Sequence, residues 1–585
     1  GLYCSGTLIN PRTVLFAAHC VNDRSDTAYS ETGVRSAFMF DVITSSAMFD
    51  LNFLNRYETD PEKLLYIINR INYDARSVER EVAEGFIEAD IALATLDTPA
   101  TNVPTWVLLF SPLPTPDAID PVTGTGYHVN ITGYGRTGSG SIGDEQAIDN
   151  RRRAAENMLG ALASFDDRQS FLAGAPVDAD LPQNLYFLDF DDPAGTNAND
   201  INLWRDEPLA NEGTVAGGDS GGPLILDAAN NSLSNEDLVI GVLSGGAVHS
   251  SSQPFSSYGT DAFYQPLYLY WDYIVATSPY RYVSANAGNG DWEDPNHWVV
   301  DLDPAFRIID ADGAVVNGLP GTIGAGPTGD APDFGEACLI VEGEDGNCFN
   351  LESGEFVPAS TSVSRASAVS PELSLSVSSG DRRASPNGTP ASSASAALAG
   401  QTRSLSRASR AASPASTPLS LPAPTLANGL PGATGFVPNN SDPDAANGVD
   451  GRYFDVTLSQ RGTTTLSSAV IIDRLTMDGL ARLTIQSGGD LTVLTDYTQA
   501  RGTLLVDGRL ASGEALIMRG ELSGSGTFDP TFLTVAGGIV RPGGRSFGTL
   551  TIQGDVILSS GTRTLMDIGD NISDVLAVTG DADNN

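Results

Sequence analysis

The chain has 585 residues, 73 acidic against 32 basic, a formal net charge of −41 and a single lysine, Lys63. So acidic a chain is repelled by nucleic acid and by anionic membrane surfaces, and neither is expected as a partner. Its 41% hydrophobic content is enough for real cores, yet no run of about 18 apolar residues exists to cross a membrane as a helix. The length predicts several domains. The chain starts at Gly1 without methionine or signal peptide and stops in Thr579-Gly580-Asp581-Ala582-Asp583-Asn584-Asn585, so it reads as a fragment cut at both ends.

In chain order, residues 5–9 and 13–18 are short apolar runs that predict antiparallel strands, the second ending on Ala17-Ala18-His19-Cys20. Asp60-Pro61-Glu62-Lys63 predicts a helix start, with Asp60 as N-cap and Pro61 in the first turn. Asp90 opens an apolar strand, Ile91 to Leu96, with Glu88 as a competing carboxylate. Ile131-Thr132-Gly133-Tyr134-Gly135 is a further strand. Between Asp144 and Ser164, Met158, Leu159 and Leu162 recur at helical spacing, which predicts a surface helix beside the solvated arginines 151–153. Asp189, Asp191 and Asp192 make an acidic loop, read as a plain turn with calcium as the alternative, since EF-hand spacing is absent.

Gly217-Gly218-Asp219-Ser220-Gly221-Gly222 then places a serine between glycines, which is how a chain presents a nucleophilic hydroxyl on a tight turn. The amides of Gly218 and Ser220 are positioned to face a developing oxyanion. Leu238 to Gly246 is an apolar strand, and Tyr268 to Ala276 a closing helix. The order His19, Asp90, Ser220 is that of one of the known catalytic triads.

On the strings A-A-H-C, D-I-A-L and G-D-S-G-G, residues 1–279 resemble a chymotrypsin/trypsin-like serine peptidase. The resemblance implies a double β-barrel with His19 as general base, Asp90 as its orienting carboxylate and Ser220 as nucleophile. It also implies Ser244 as a hydrogen-bonding support of Asp90, and Thr214, Gly245 and Gly246 as the specificity pocket. Thr214 is uncharged where trypsin-like preference wants a carboxylate. With two glycines leaving an open pocket wall, a neutral P1 side chain is expected, although His249 and Asp261 lie near enough to reshape it. Cys4 and Cys20 match the family's disulfide beside the histidine, and Cys338 with Cys348 closes a smaller loop; pairing implies an oxidising compartment, hence export. Asp219 usually meets a newly cut N-terminal amine in this family, and neither that partner nor the first barrel strand is in the sequence. The triad chemistry requires no metal and no organic cofactor.

Beyond it, 280–356 reads as a small β region anchored by Trp292 and Trp298, and 357–435 as a Ser/Ala/Pro-rich disordered linker. From 436 to 585, short strands such as Leu483-Thr484-Ile485, Leu491-Thr492-Val493 and Leu504-Leu505-Val506 recur between Gly and Asp turns. They predict a partial right-handed parallel β-helix. Leu522-Ser523-Gly524-Ser525-Gly526 and Val540-Arg541-Pro542-Gly543-Gly544 resemble autotransporter passengers. The chain as a whole is therefore expected to be mostly β. It is expected to be an exported endopeptidase acting on protein or peptide, secreted or on a Gram-negative surface, with membrane contact only through an outer-membrane barrel outside this sequence. The alternatives are an adhesin with a peptidase fold, and a protease acting mainly on its own passenger.

Overall fold

The computed structural model describes residues 3–30, 32–44, 57–79, 88–173, 183–197, 202–320, 332–339, 347–358, 374–376 and 435–584. They are mostly β: two half-barrel sheets in the N-terminal region and a β-solenoid of about five turns over residues 455–564.

The first half-barrel contains β1 (Thr7–Asn10), β2 (Thr13–Phe16), β3 (Ala37–Met39), β4 (Leu65–Tyr73) and β5 (Ala92–Leu96), hydrogen-bonded in the order β1-β2-β5-β4-β3. Every residue of β1, β2 and β5 is buried, which is why these strands read as continuous apolar runs. The helix expected after Asp60 is only a 3₁₀ turn, Pro61–Lys63. Asp60 makes no side-chain cap there and instead pairs with Lys63 at 2.8 Å.

The second half-barrel is built from β6 (Leu108–Leu109), β7 (His128–Gly133), the hairpin β8 (Thr137–Ser139) and β9 (Gly143–Gln146), β10 (Arg153–Met158), β11 (Ala161–Ser164), β12 (Asn184–Asp189), β13 (Pro223–Leu226), β14 (Leu238–Val248) and β15 (Asp261–Pro266). Its path is β10-β7-β13-β14-β15-β12-β11, while β8 and β9 form a sheet of their own. The surface helix expected between Asp144 and Ser164 is therefore corrected to two strands. Met158, Leu159 and Leu162 are all buried, and Gly160 between the strands lies so close to Trp204 that a Cβ would meet its ring at 2.2 Å. Helical spacing over three residues could not outweigh pairing with β7 and β12. The helix comes one element later, α1 (Phe165–Ala173), and α2 (Trp271–Thr277) closes the region. One core, including Val14, Leu93, Leu224, Val239 and Trp271, joins the two half-barrels.

Within 280–356, strand Tyr280–Ala285 pairs in parallel with Tyr453–Leu458, so the solenoid stack begins before residue 300. Trp292 and Trp298 belong to the solenoid core, their rings 4.7 Å apart. Strand Phe306–Ile309 returns to pair with β6. Of 357–435, only 357–358, 374–376 and 435 are described; the expected disorder of the rest lies outside the described residues. Further on, alternation sets the faces: Leu483, Ile485, Leu491, Val493, Leu504 and Val506 point inward, all at most 1% exposed.

The N-terminal half-barrels and the solenoid are bolted by a buried ion pair. Arg12 donates from Nε and Nη2 to the two oxygens of Asp473, both at 2.8 Å, and its guanidinium lies 4.0 Å over the Tyr453 ring. An Asp473→Ala change strands that cation in the interior, and a loss of about 3–5 kcal/mol is expected on urea denaturation. A loss under about 1 kcal/mol would sink this account of the joint.

Candidate active site

Strand β2 ends at Phe16, and the chain turns through the 3₁₀ segment Ala18–Cys20, which carries His19. The Cys4–Cys20 disulfide ties this turn to the start of β1. In the turn before the neighbouring strand β5, Ala89 adopts φ +51, an uncommon conformation for a residue with a side chain, immediately before Asp90. Asp90 is 0% exposed. Its Oδ1 accepts the backbone N–H of His19 at 2.7 Å, and its Oδ2 lies 2.7 Å from His19 Nδ1. The imidazole is thereby anchored twice, through the backbone and through the ring.

Ser244 Oγ donates to the same Asp90 Oδ2 at 2.6 Å. Behind it runs a buried series that sequence reasoning missed. Gln265 Nε2 donates to Ser244 Oγ (3.2 Å), Tyr270 Oη donates to Gln265 Oε1 (2.9 Å), and Gln183 bridges Gln265 to the amide of Ala89. Two glutamines and a tyrosine on three separate elements carry no motif. The one legible signal was Gln265, a polar residue inside the apolar strand β15.

Ser220 is 0% exposed and sits between Gly218 (φ +103) and Gly221 (φ +84). A Cβ on Gly221 would meet Ala17 N at 2.8 Å and Ser5 O at 2.5 Å, so only glycine lets this loop close against the turn that carries His19. Ser5 N–H donates to Ser220 O at 2.8 Å, and Gly221 N–H to Leu243 O at 2.9 Å, beside Ser244. The nucleophile loop, the histidine turn and the Asp90 support are thus brought to one place.

The peptide planes bearing the Gly218 and Ser220 amides are clamped through their carbonyls: Arg136 N–H donates to Gly217 O (2.9 Å) and Gly222 N–H to Asp219 O (2.8 Å). In a planar trans peptide, each clamp turns the opposing N–H the other way. Asp219 holds the turn from within, accepting Gly135 N–H at Oδ1 (2.7 Å) and Ala216 N–H at Oδ2 (2.9 Å). The place where an N-terminal amine was expected is thus served by two backbone amides.

Burial pushes the Asp219 carboxyl up to about 6. The folded chain therefore binds this proton more tightly than the unfolded one. The resulting stability is full below pH of about 4 and is lost as pH rises through about 6. It amounts to at most about 3 kcal/mol, less for the part of the side chain that still meets solvent. An Asp219→Asn chain is expected to lose this component of the Tm-versus-pH slope. Identical slopes over that window would refute the assignment.

In the candidate pocket, Thr214 is half-buried on the loop before Ala216. The open wall expected at Gly245 is covered: a Cβ there would meet the Phe263 ring at 2.6 Å. A Cβ on Gly246 would meet Asp261 O at 2.9 Å. Asp261 offers no bare charge, since Arg168 donates to its Oδ2 at 2.6 Å and both are fully enclosed. His249 lies 3.6 Å from Asp261 Oδ1, and burial lowers its pKa to about 4.

The Trypsin family model matches residues 1–153, a segment that contains His19 and Asp90 and ends before Ser220. This part of the chain is similar to chymotrypsin/trypsin-like serine peptidases. No curated protein matches the chain.

Proposed function

We propose that the chain is an exported serine endopeptidase carried at the head of a β-solenoid, as the passenger of a Gram-negative autotransporter. The observation that carries the catalytic reading is the double hold of Asp90 on His19, at 2.7 Å through both the backbone amide and Nδ1. It keeps the Nδ1 proton in place and leaves Nε2 as the basic nitrogen.

Ser220 Oγ attacks the peptide carbonyl while His19 takes its proton, and the Gly218 and Ser220 amides receive the oxyanion. His19 then protonates the leaving amine, and water, activated by the same imidazole, hydrolyses the acyl-enzyme. A neutral P1 residue is the preferred substrate feature, because Thr214 is uncharged and Asp261 is already paired with Arg168. The two disulfides fit an oxidising compartment. Among the described residues no helix is long and apolar enough to cross a membrane. The parallel solenoid supports the passenger reading.

The test is labelling with a fluorophosphonate alongside casein hydrolysis. Ser220→Ala is expected to lose both, and labelling retained by that variant means another nucleophile. A wild-type chain that neither labels nor cuts would leave the adhesin reading.

A second reading, action on its own passenger, is favoured by strand Ser374–Ser376. It adds antiparallel to β14, with Ser376 opposite Gly246 and Ser374 opposite Val248. β15 occupies one edge of β14 there, so the added strand lies on the other, the edge that bonds the Ser220 loop at Leu243. It runs towards Ser244. Ser374→Pro with Ser376→Pro removes two ladder donors. The KM for a small peptide substrate is expected to fall several-fold, by relief of competition. An unchanged KM counts against the reading.

A further inference from the structure

The end of β12 carries an arrangement that the peptidase chemistry does not use. Asp189, Asp191 and Asp206 bring carboxylate oxygens within 4.8 Å of one another. All three are interior, 2%, 3% and 4% exposed. Three carboxylates taken out of water together repel one another and forgo hydration, a combination that proteins tolerate only with a compensating proton or cation. Arg205, the adjacent guanidinium in sequence, pairs with Glu336.

A second, independent observation comes from oxygens beside the cluster. Asn202, 7% exposed, wedges its amide between two members, donating from Nδ2 to Asp206 O (3.0 Å) and towards Asp191 Oδ2 (3.4 Å). Its carbonyl Oδ1 is buried with no hydrogen-bond partner among the described residues, while the Asp206 carboxyl packs against that of Asp191. A buried neutral oxygen acceptor without a donor, beside carboxylates packed against one another, is what a hard cation satisfies and a hydrogen-bonded turn does not.

We propose that Asp189, Asp191, Asp206 and Asn202 form a calcium site. The donor set is all oxygen, with no thiolate or imidazole to favour zinc. It is assembled from protein groups in an enclosed place, which suits calcium better than magnesium, an ion that keeps several waters. Asp192, grouped with the first two by sequence, stands apart: it accepts the amides of Ala194, Thr196 and Asn197 and shapes the following loop. The proposal is independent of the serine chemistry but touches it physically. Glu212 Oε1 accepts the Asp191 amide at 2.7 Å, and Asn157 Nδ2 bridges Asp189 O (2.7 Å) to Gly213 O (2.9 Å). The cation thereby braces the turn that leads to Thr214.

The full chain, stripped with EDTA, is titrated with Tb³⁺ and excited through tryptophan. Trp204, whose backbone amide bonds Asp189 Oδ2 at 3.0 Å, is the built-in sensitiser. A saturable signal is expected, displaced by Ca²⁺ and not by equal Mg²⁺, together with a Tm raised by several degrees in about 5 mM CaCl₂. Asp206→Asn and Asp191→Asn are each expected to weaken Tb³⁺ binding at least about tenfold, and the wild-type titration stands even where one variant fails to fold. No sensitised signal, or a signal unchanged in both variants, overturns the site. Displacement by Mg²⁺ as effective as by Ca²⁺ overturns the choice of ion.

Discussion

Replacing His19 by alanine is expected to lower kcat on a peptide substrate by about 10⁶-fold, and adding Ser220→Ala to it should cost little more. On the proposed mechanism the two side chains act as one device. Without the imidazole the Ser220 hydroxyl keeps its proton, and without the hydroxyl the imidazole has nothing to deprotonate. What survives in either case is the hold of the clamped amides of Gly218 and Ser220 on the oxyanion, so some catalysis over water should remain. The measurement is steady-state kcat for both single variants and the double. Multiplicative losses, with the double far below either single, would mean that the two residues do not work on the same proton.

The second large effect is expected from Asp90→Asn, a change of one heavy atom with almost no change of shape. Asp90 accepts three donors: the His19 amide, the His19 ring and the Ser244 hydroxyl. An amide in its place brings an NH₂ group into a ring of donors. One of those contacts becomes a donor facing a donor. Relief comes most easily by moving the imidazole proton from Nδ1 to Nε2, which removes the base that the proposed mechanism needs at Nε2. A loss of about 10⁴ in kcat is expected, with fluorophosphonate labelling slowed in step and Tm little changed. Activity within tenfold of wild type would show that Asp90 does not orient the imidazole.

Both experiments rest on residues that were legible before any fold was known. His19, Asp90 and Ser220 sit in short strings whose chemistry demands those neighbours: small residues where the loop closes on Ala17, a cysteine to tie the histidine turn, apolar residues to bury the carboxylate. The solenoid was legible for a different reason. Alternation along Leu483-Thr484-Ile485 or Leu491-Thr492-Val493 is a local record of which face is buried, and it survives without knowledge of partners. The stretch from Asp144 to Ser164 misled because three apolar residues fit two periods, and only the partners β7 and β12 decide between them. Gln183, Gln265 and Tyr270 were invisible because a buried polar residue gains its meaning from the group it faces.

The amino-acid sequence by itself determined the chemistry on offer and the local conformations: a histidine, an aspartate and a glycine-flanked serine in a telling order, two cysteine pairs, and strands marked by their own alternation. The tertiary structure alone decided who meets whom across long separations. Arg12 finds Asp473, Asp189 finds Asp206 beside Asn202, and Phe263 covers Gly245. Local pattern is set by backbone sterics and by which face avoids water, and these act over a few residues. The pairing of buried charges and polar groups is set by packing between elements far apart in the chain, where neither partner carries a mark of the other.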